Sequence, residues 1–251
     1  MRTMGRYFEF DYSGAPFELF GPAHLWTVLG MALAIWLIVR AGRGMTETGR
    51  RTARWTMAAS MAVMEIASHS FWAMGGAWSA QTLLPLHMCG IMTYVSMAAL
   101  VFDLRRLYPL VYFLGIGGAI QAIITPDAAE YGYPHFRYWE AMFSHGVLVL
   151  AGFWVVIVER AFPTMRDLWE TFAGLNVYAL FVYFVNAGLG SNYLYVNGKP
   201  DIASALDLMP DWPYYILVLE AIALGLFLLM YLPFWWRRQY GTAAEPDVSV
   251  V

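Results

Sequence analysis

Long apolar segments recur along the whole chain, and each is long enough to cross a lipid bilayer. About 20 apolar residues are needed to span roughly 30 Å of hydrocarbon, because an α-helix rises about 1.5 Å per residue. Seven segments have this length, and they cover residues 22–40, 55–74, 83–102, 107–125, 138–158, 169–189 and 213–235. The pattern predicts an all-α, polytopic membrane protein with seven transmembrane helices. We expect a single seven-helix domain over residues 1–238 and a disordered cytoplasmic tail over residues 239–251.

The composition favours a lipid environment. Only 13% of the 251 residues are charged and 60% are hydrophobic, whereas roughly a quarter of the residues in a soluble domain are charged. Such a chain has too few charged groups to cover a water-facing surface. Membrane lipid is therefore the expected partner, and the cell (inner) membrane is the expected location. The net charge of −3 gives no reason to expect nucleic acid, and the oligomeric state stays open.

The basic residues indicate the orientation of the helices. Eleven of the 15 lysines and arginines lie on one predicted side of the bundle, at positions 40, 43, 50, 51, 54, 105, 106, 160, 166, 237 and 238. Because cytoplasmic loops are enriched in Lys and Arg, this side is predicted to be cytoplasmic. The N-terminus is then outside and the C-terminus inside, as an odd number of helices requires. The first residues lack the pattern of a cleavable signal peptide, so the first helix is expected to direct insertion.

The stretch Leu84–Gly90 opens the third apolar segment and contains Cys89, the only cysteine of the chain. We expect Pro85 to begin helix three at the outer interface, which would place Cys89 about 10 Å deep. His145, in helix five, has a similar predicted depth. Ionisable groups inside a membrane should face the bundle interior, since their insertion costs roughly 2.5–3.5 kcal/mol each. These positions predict a polar cavity that opens outward.

Cys89 and His145 could form a pair of nucleophile and base. A thiol reacts as the thiolate, and a neighbouring imidazole can accept its proton. The alternative is that a lone membrane cysteine packs as a small hydrophobic residue. His87 lies two residues before Cys89, so on a regular helix the two side chains point to nearly opposite sides.

Further polar residues are predicted to surround this pair. Glu65 and His69 are four residues apart on one helix face, which fits either a carboxylate that orients an imidazole or a structural hydrogen bond. Together with His87 and His145, they could supply ligands to zinc, as in seven-helix hydrolases of the ceramidase and adiponectin-receptor type. The sequence lacks the H-x-x-x-H pair of those proteins, and we predict no metal and no other cofactor. The remaining candidates for supporting or substrate-binding roles are Gln121, Thr125, Asn186, Asn192 and Glu220.

Several stretches together resemble the YwaF-type bacterial integral membrane proteins. The resemblance runs from helix one through helix seven and is carried by Leu84-Pro85-Leu86-His87-Met88-Cys89, Gln121–Asp127, Tyr133–Phe136 with Ser144-His145, Asn186 with Gly190–Leu194, and Trp212–Tyr215. That family is similar to a vertebrate transmembrane acyltransferase that makes polyunsaturated ether phospholipids. It is more remotely similar to androgen-induced transmembrane hydrolases that cleave branched fatty-acid esters. In those relatives a cysteine or threonine nucleophile works with a histidine on another helix, and the resemblance implies Cys89 and His145 for these roles.

The working hypothesis is a thiol-dependent lipid acyltransferase or ester hydrolase. Cys89 would attack the acyl carbonyl, and His145 would take the thiol proton and return it to the leaving alcohol. Hydrogen bonds to the oxyanion or the head group are expected from Gln121, Thr125, Asn186 and Asn192. Two alternatives stay open: a non-enzymatic small-molecule binder or transporter that uses the same cavity, and a zinc-dependent transmembrane hydrolase. The sequence has no broken-helix signals and no internal repeats, which disfavours a transporter.

Overall fold

A computed structural model describes residues 6–126, 130–200 and 205–240 of the chain. Within these ranges the chain is helical and has no strands, which confirms the all-α prediction. The seven long helices are α1 (Pro22–Gly42), α2 (Glu47–Met74), α3 (Met88–Val101), α4 (Arg105–Ile124), α5 (Phe136–Val158), α6 (Met165–Leu189) and α7 (Tyr214–Tyr240). Short 3-10 turns lie at Arg6–Phe8, Tyr193–Tyr195 and Ala205–Leu208. The predicted tail begins inside α7, and residues 241–251 lie outside the described ranges.

Five of these helices, α1, α4, α5, α6 and α7, have the length and the apolar composition of a membrane span. α2 lacks that composition because its charged first turns are followed by a second half that is interrupted by Glu65, Ser68, His69 and Ser70. α3 is too short, since its 14 residues cover about 21 Å at 1.5 Å each. By length and composition, the described part of the chain therefore has five apolar spans, as expected of a multi-pass membrane protein.

Capping residues determine where α2 and α6 begin. α2 starts directly after Thr46 rather than at residue 55, because the Thr46 hydroxyl accepts a hydrogen bond from the Gly49 N–H at 3.2 Å. The cap of α6 is reciprocal. The Thr164 hydroxyl accepts from the Asp167 N–H, and the Asp167 carboxylate accepts from the Thr164 N–H.

α5 is the central helix of the bundle and packs against α1, α2, α3 and α4. Its second half is almost completely buried, with exposed fractions of at most 1% at Leu148, Ala151, Trp154 and Val155. Both α4 and α5 contain a π-helical turn, at Val111–Ile116 and Trp154–Val158. The two helices approach closely at Gly152, where an added Cβ would lie 2.3 Å from the Ile116 side chain. A side chain at position 152 would therefore force α4 and α5 apart.

α7 is held to α4, while α1, α6 and α7 present apolar side chains outward. The Tyr112 hydroxyl donates to the Met230 carbonyl at 2.9 Å. On the outer surfaces, Trp26, Val177 and Leu217 are 75%, 70% and 68% exposed. Such large apolar side chains at the surface fit contact with lipid.

A buried ion pair joins α2 to the end of α5. Arg54 Nη1 donates to Glu159 Oε1 at 2.8 Å, and the two side chains are only 6% and 1% exposed. Trp154 Nε1 donates to the same carboxylate oxygen at 3.0 Å. The sequence marks Arg54 only as one of several loop cations, so this pairing is not predicted from it.

Candidate functional site

The stretch Leu84–Gly90 is a turn followed by the first residues of α3. His87 is the N-cap of the helix, with φ −67° and ψ 155°, and the helix begins at Met88. The prediction that Pro85 begins this helix is therefore wrong. Cys89 is the second residue of α3 and lies in its first turn, not one turn further in.

Hydroxyl groups from α6 and from the loop that follows it hold this turn. The Leu84 N–H donates to the Tyr193 hydroxyl at 2.8 Å, and that hydroxyl donates to the Ala80 carbonyl at 2.8 Å. The Leu86 carbonyl accepts from the Tyr178 hydroxyl at 2.9 Å. In a helix that began earlier, the Leu86 carbonyl would accept from the N–H four residues on. Its bond to Tyr178 explains why α3 starts later than predicted.

His87 lies against the loop that follows α6. The Leu194 N–H lies 3.4 Å from His87 Nδ1, and the His87 ring is 5.2 Å from the Tyr193 ring and 5.4 Å from the Tyr195 ring. Leu194 and Tyr195 have φ values of 57° and 53°, a left-handed conformation that is unfavourable for residues other than glycine. The loop therefore holds a strained backbone conformation where it covers His87.

The side chains of Asn186 and Asn192 form hydrogen bonds with this loop. Asn186 is 1% exposed, and its Nδ2 donates to the Tyr193 carbonyl at 2.9 Å and to Asn197 Oδ1 at 2.8 Å. Asn192 Nδ2 donates to the Gly198 carbonyl at 2.8 Å. The amide donors of both predicted site residues are thus bound within the loop, which is a structural role.

Cys89 is half-buried, and its sulfur faces Gly118 of α4. A Cβ placed on Gly118 would lie 3.5 Å from Cys89 Sγ, which is an ordinary van der Waals contact. The backbone N–H groups of Cys89 and Gly90 belong to the first turn of α3, where N–H groups have no partner within the helix.

The His145 ring has a defined tautomer and a defined direction. Its Nδ1 lies 2.7 Å from the Ala141 carbonyl, so Nδ1 carries the proton and Nε2 is the acceptor. His145 and Gly152 are seven residues apart, and at about 100° per residue they point in nearly the same direction. Because Gly152 packs against Ile116, His145 is directed toward α4.

α4 brings Cys89 and His145 to one level of the bundle. A Cβ on Gly115 would lie 3.8 Å from the Leu148 carbonyl. α4 and α5 are antiparallel, so three residues further on in α4, Gly118 is level with His145. A Cβ on Gly118 would also lie 3.5 Å from Cys89 Sγ, so Cys89 packs beside the α4 turn that is level with His145. Among the described residues, no hydrogen bond joins the thiol to the imidazole.

Glu65 and His69 form the hydrogen bond that their spacing predicts, and it belongs to a longer chain. Trp78 Nε1 donates to His69 Nδ1 at 2.9 Å, and His69 Nε2 lies 3.3 Å from Glu65 Oε1. The Tyr94 hydroxyl donates to the same carboxylate oxygen at 3.2 Å. Because Nδ1 accepts, Nε2 must carry the ring proton, and the carboxylate fixes the tautomer of the imidazole.

A second polar group, which the sequence does not predict, lies beside this chain between α2 and α5. Arg137 Nη1 donates to Ser68 Oγ at 3.1 Å and pairs with Glu140, and its guanidinium lies 5.1 Å from the centre of the Trp72 ring. Ser68 and Trp72 follow Glu65 by three and seven residues, so they share its helix face. That spacing is the signal that could have identified them.

The other predicted residues bond to groups other than Cys89 and His145. Glu220 accepts from Asn176 Nδ2 at 2.9 Å, which links α7 to α6. Gln121 and Thr125 are exposed at the end of α4, where the Thr125 hydroxyl donates to the Gln121 carbonyl at 3.0 Å. In the part of the chain that the structure describes, none of them has a hydrogen bond to the Cys–His pair.

The described residues do not converge on a metal ion. Within residues 6–126, 130–200 and 205–240, no three His, Cys, Asp or Glu side chains are grouped so that they could hold one. The zinc alternative therefore has no set of ligands in these ranges.

Two surface cavities of about 600 and 590 Å³ lie elsewhere. One is bounded by the N-terminal segment, Trp72 and Tyr131, and the other lies along the first half of α2 near Arg51 and Trp55. Neither is lined by Cys89 or His145.

A model of the TMEM164 family matches residues 19–231, a range that extends from before α1 into α7. The chain belongs to the TMEM164 family. No curated protein and no solved structure matches the chain. In this TMEM164 family member, the matched range includes every predicted site residue from Glu65 to Glu220. The candidate site therefore lies within the region that defines the family, which is a family of transmembrane proteins.

Proposed function

We propose that this TMEM164 family member is a thiol-dependent lipid acyltransferase or ester hydrolase, with Cys89 as the nucleophile and His145 as the general base. The proposal is supported by the Cys89 sulfur, which lies beside Gly118 of α4, and by His145, whose Nδ1 bond to the Ala141 carbonyl leaves Nε2 as the proton acceptor. The resemblance to YwaF-type proteins, and through them to transmembrane acyltransferases and hydrolases, supports the same roles.

The first half of the reaction forms a thioester. His145 Nε2 accepts the thiol proton, and Cys89 Sγ attacks the carbonyl carbon of a lipid ester. The tetrahedral intermediate then expels the lipid alkoxide, which takes the proton from His145. The bond to Ala141 keeps the second ring nitrogen protonated throughout, so Nε2 is the atom that exchanges protons.

The second half returns the enzyme to its starting state. His145 deprotonates an incoming alcohol or a water molecule, which attacks the thioester carbonyl and displaces the Cys89 thiolate. The thiolate then regains the proton from His145. An alcohol acceptor gives acyl transfer to a second lipid, and water gives hydrolysis.

The first turn of α3 supplies the groups that stabilise negative charge. The N–H groups of Cys89 and Gly90 lack helical partners, and we assign them as donors to the oxyanion of the tetrahedral intermediate. Gly90 suits this position because the chain folds back tightly there. An added Cβ would lie 3.0 Å from Pro85 Cα. These backbone donors take the role first expected of Asn186 and Asn192.

In this proposal all seven helices cross the inner membrane, with the N-terminus outside. α3 completes its crossing with the non-helical turn at residues 83–87, whose backbone groups bond to Tyr178 and Tyr193. Non-helical backbone at membrane depth is tolerated when protein groups satisfy it.

The test is acyl turnover in reconstituted vesicles that contain a phospholipid with a labelled acyl chain and a lysophospholipid acceptor. Cys89→Ala should abolish turnover, and His145→Gln should lower it by about 10²- to 10⁴-fold, the usual contribution of a general base. Gly118 offers a matched pair of variants. Gly118→Ala adds a methyl group at ordinary contact distance and should keep most of the activity, whereas Gly118→Leu fills the space beside the sulfur and should block the reaction.

Undiminished acyl turnover by Cys89→Ala would refute the proposal. Equal effects of Gly118→Ala and Gly118→Leu would contradict the location of the site, provided that both variants keep the wild-type melting temperature. If wild-type protein binds lipid saturably without any turnover, the binder alternative replaces the enzyme.

A further inference from the structure

A cavity of about 600 Å³ lies between the N-terminal segment, the end of α2 and the residues that precede α5. Hydrogen bonds hold its wall in place. The Tyr131 hydroxyl donates to the Phe10 carbonyl at 2.9 Å, and His135 Nε2 lies 3.0 Å from the Glu9 carbonyl. Gly132 allows the two segments to touch, because an added Cβ would lie 2.3 Å from the Ala15 carbonyl oxygen. The cavity is thus formed before any ligand arrives.

Aromatic rings and carboxylates line this cavity together. Four of its lining residues carry rings and two carry carboxylates: Phe10, Tyr12, Trp72, Tyr131, Asp11 and Glu130. Among the described residues, those that line it include no lysine and no arginine. Arg137 lies over the Trp72 ring, but it does not line the cavity, and its charge is paired with Glu140.

This combination selects one class of ligand. The faces of aromatic rings carry partial negative charge and attract organic cations, most strongly when carboxylates lie nearby. A calcium or magnesium ion would instead need six or more oxygen ligands. An anion would meet two carboxylates without a compensating cation. A volume near 600 Å³ lies within the range of small-molecule sites.

We propose that this cavity binds an organic ammonium group. The chemistry fits a small free amine and also the ammonium of a lipid head group, and both present the same positive charge to the rings. The site shares no residue with the Cys89–His145 pair, so it stands independently of the acyl-transfer proposal.

Two soluble probes of equal size test the charge requirement. Choline carries a quaternary nitrogen, and 3,3-dimethylbutanol has a neutral carbon in its place. Binding is measured by saturation-transfer difference NMR on the full chain in nanodiscs of phosphatidylglycerol, which has no ammonium group. We expect saturable choline binding and at least tenfold weaker binding of the neutral analogue. Equal binding of the two probes, or no choline binding, would overturn the proposal.

A pair of double variants tests the location. Asp11→Asn with Glu130→Gln removes both lining carboxylates and should weaken choline binding at least tenfold. Glu18→Gln with Asp211→Asn removes the same charge from residues that do not line the cavity, and it should leave binding unchanged. Choline affinity that falls equally in both double variants would contradict the site. If a variant fails to fold, the comparison of choline with 3,3-dimethylbutanol on the wild-type protein still tests whether the cavity requires a positive charge.

The lipid in the nanodisc distinguishes the source of the ammonium group. If lipid head groups enter the cavity, nanodiscs of phosphatidylcholine should compete and weaken choline binding relative to phosphatidylglycerol. If the natural ligand is a free amine, choline should bind equally in both. The cavity binds ammonium in each of these results.

Discussion

His135 caps α5 and fastens the N-terminal segment to it. Its Nδ1 accepts from the Arg137 N–H at 3.1 Å, and its Nε2 donates to the Glu9 carbonyl at 3.0 Å. A neutral ring protonated on Nε2 satisfies both bonds, whereas an imidazolium would carry a proton on Nδ1 and lose the cap. Burial lowers the pKa of His135 below its ordinary value, and the hydrogen bond to Glu9 offsets only part of that shift.

Protonation of His135 should therefore destabilise the fold. The unfolded chain binds the proton near its ordinary pKa of about 6.5, and the folded chain binds it only at lower pH. Stability should be constant above that value and fall as the pH drops below it, until the folded state is protonated too. The measurement is the melting temperature between pH 7.5 and 5. His135→Asn keeps a capping side chain without titrating and should flatten the profile. An unchanged profile in this variant would exclude His135 as the cause.

At the scale of single residues, spacing predicts partners within one helix but not between helices. Glu65 and His69 are four residues apart, and they bond as expected. The sequence could not show that Arg137 meets Ser68, because that contact depends on how α5 packs on α2. Whether Cys89 and His145 react remains a prediction.

At the scale of the helices, the pair between Arg54 and Glu159 fixes where α2 crosses the end of α5. Glu159 is 1% exposed and also accepts from Trp154. A carboxylate at this depth is costly without its cation, so removal of one partner destabilises more than removal of both.

Arg54→Met should lower the free energy of unfolding by about 3–5 kcal/mol, because it removes the nearest cation of the buried Glu159 carboxylate. The longer contact of Glu159 with Arg105, at 3.9 Å, remains in this variant. The double variant Arg54→Met with Glu159→Gln should regain part of that loss. Arg50→Met is the matched control on the same helix. Arg50 pairs with Glu47 at 31% and 65% exposure, and such pairs contribute about 0–1 kcal/mol. Denaturant unfolding in micelles measures all three, and similar losses for Arg50→Met and Arg54→Met would contradict this account.

Local caps set the starts of α2 and α6, which lie before the predicted apolar segments at 55–74 and 169–189. Thr46 and Thr164 cap α2 and α6 through residues three positions away. The start of α3 depends instead on hydroxyls more than 90 positions along the chain, at Tyr178 and Tyr193. These distant contacts cannot be read from the local sequence, so the sequence predicted a helix start at Pro85 where the structure has none.

At the scale of the whole molecule, α2 and α3 decide how the chain crosses the membrane. The length of the apolar segments predicted seven helices, and the described residues form seven long helices. Five of them are apolar spans by length and composition. The other two differ because polar residues, including Glu65 and His69, interrupt the second half of α2 and because the turn before Met88 shortens α3.

Labelling of introduced cysteines tests the crossing of α2 and α3. In a Cys89→Ser background, single cysteines replace Gly44, Ala77 or Leu104, which lie in the connections before α2, before α3 and after α3. With seven spans, an impermeant maleimide should label intact cells at Ala77→Cys only. Gly44→Cys and Leu104→Cys should react only after the membrane is opened. If positions 77 and 104 label from the same side, α3 does not cross.

The thioester on Cys89 is the central claim, and the chain offers a direct test because it has one cysteine. Reconstituted protein is incubated with a phospholipid whose acyl chain carries an alkyne tag, quenched rapidly in acid and digested. We predict an acyl group on the peptide that contains Cys89, released by neutral hydroxylamine and missing from Cys89→Ala. Full lipid turnover by Cys89→Ala, with no acyl group on the Cys89 peptide of the wild-type protein, would contradict the account.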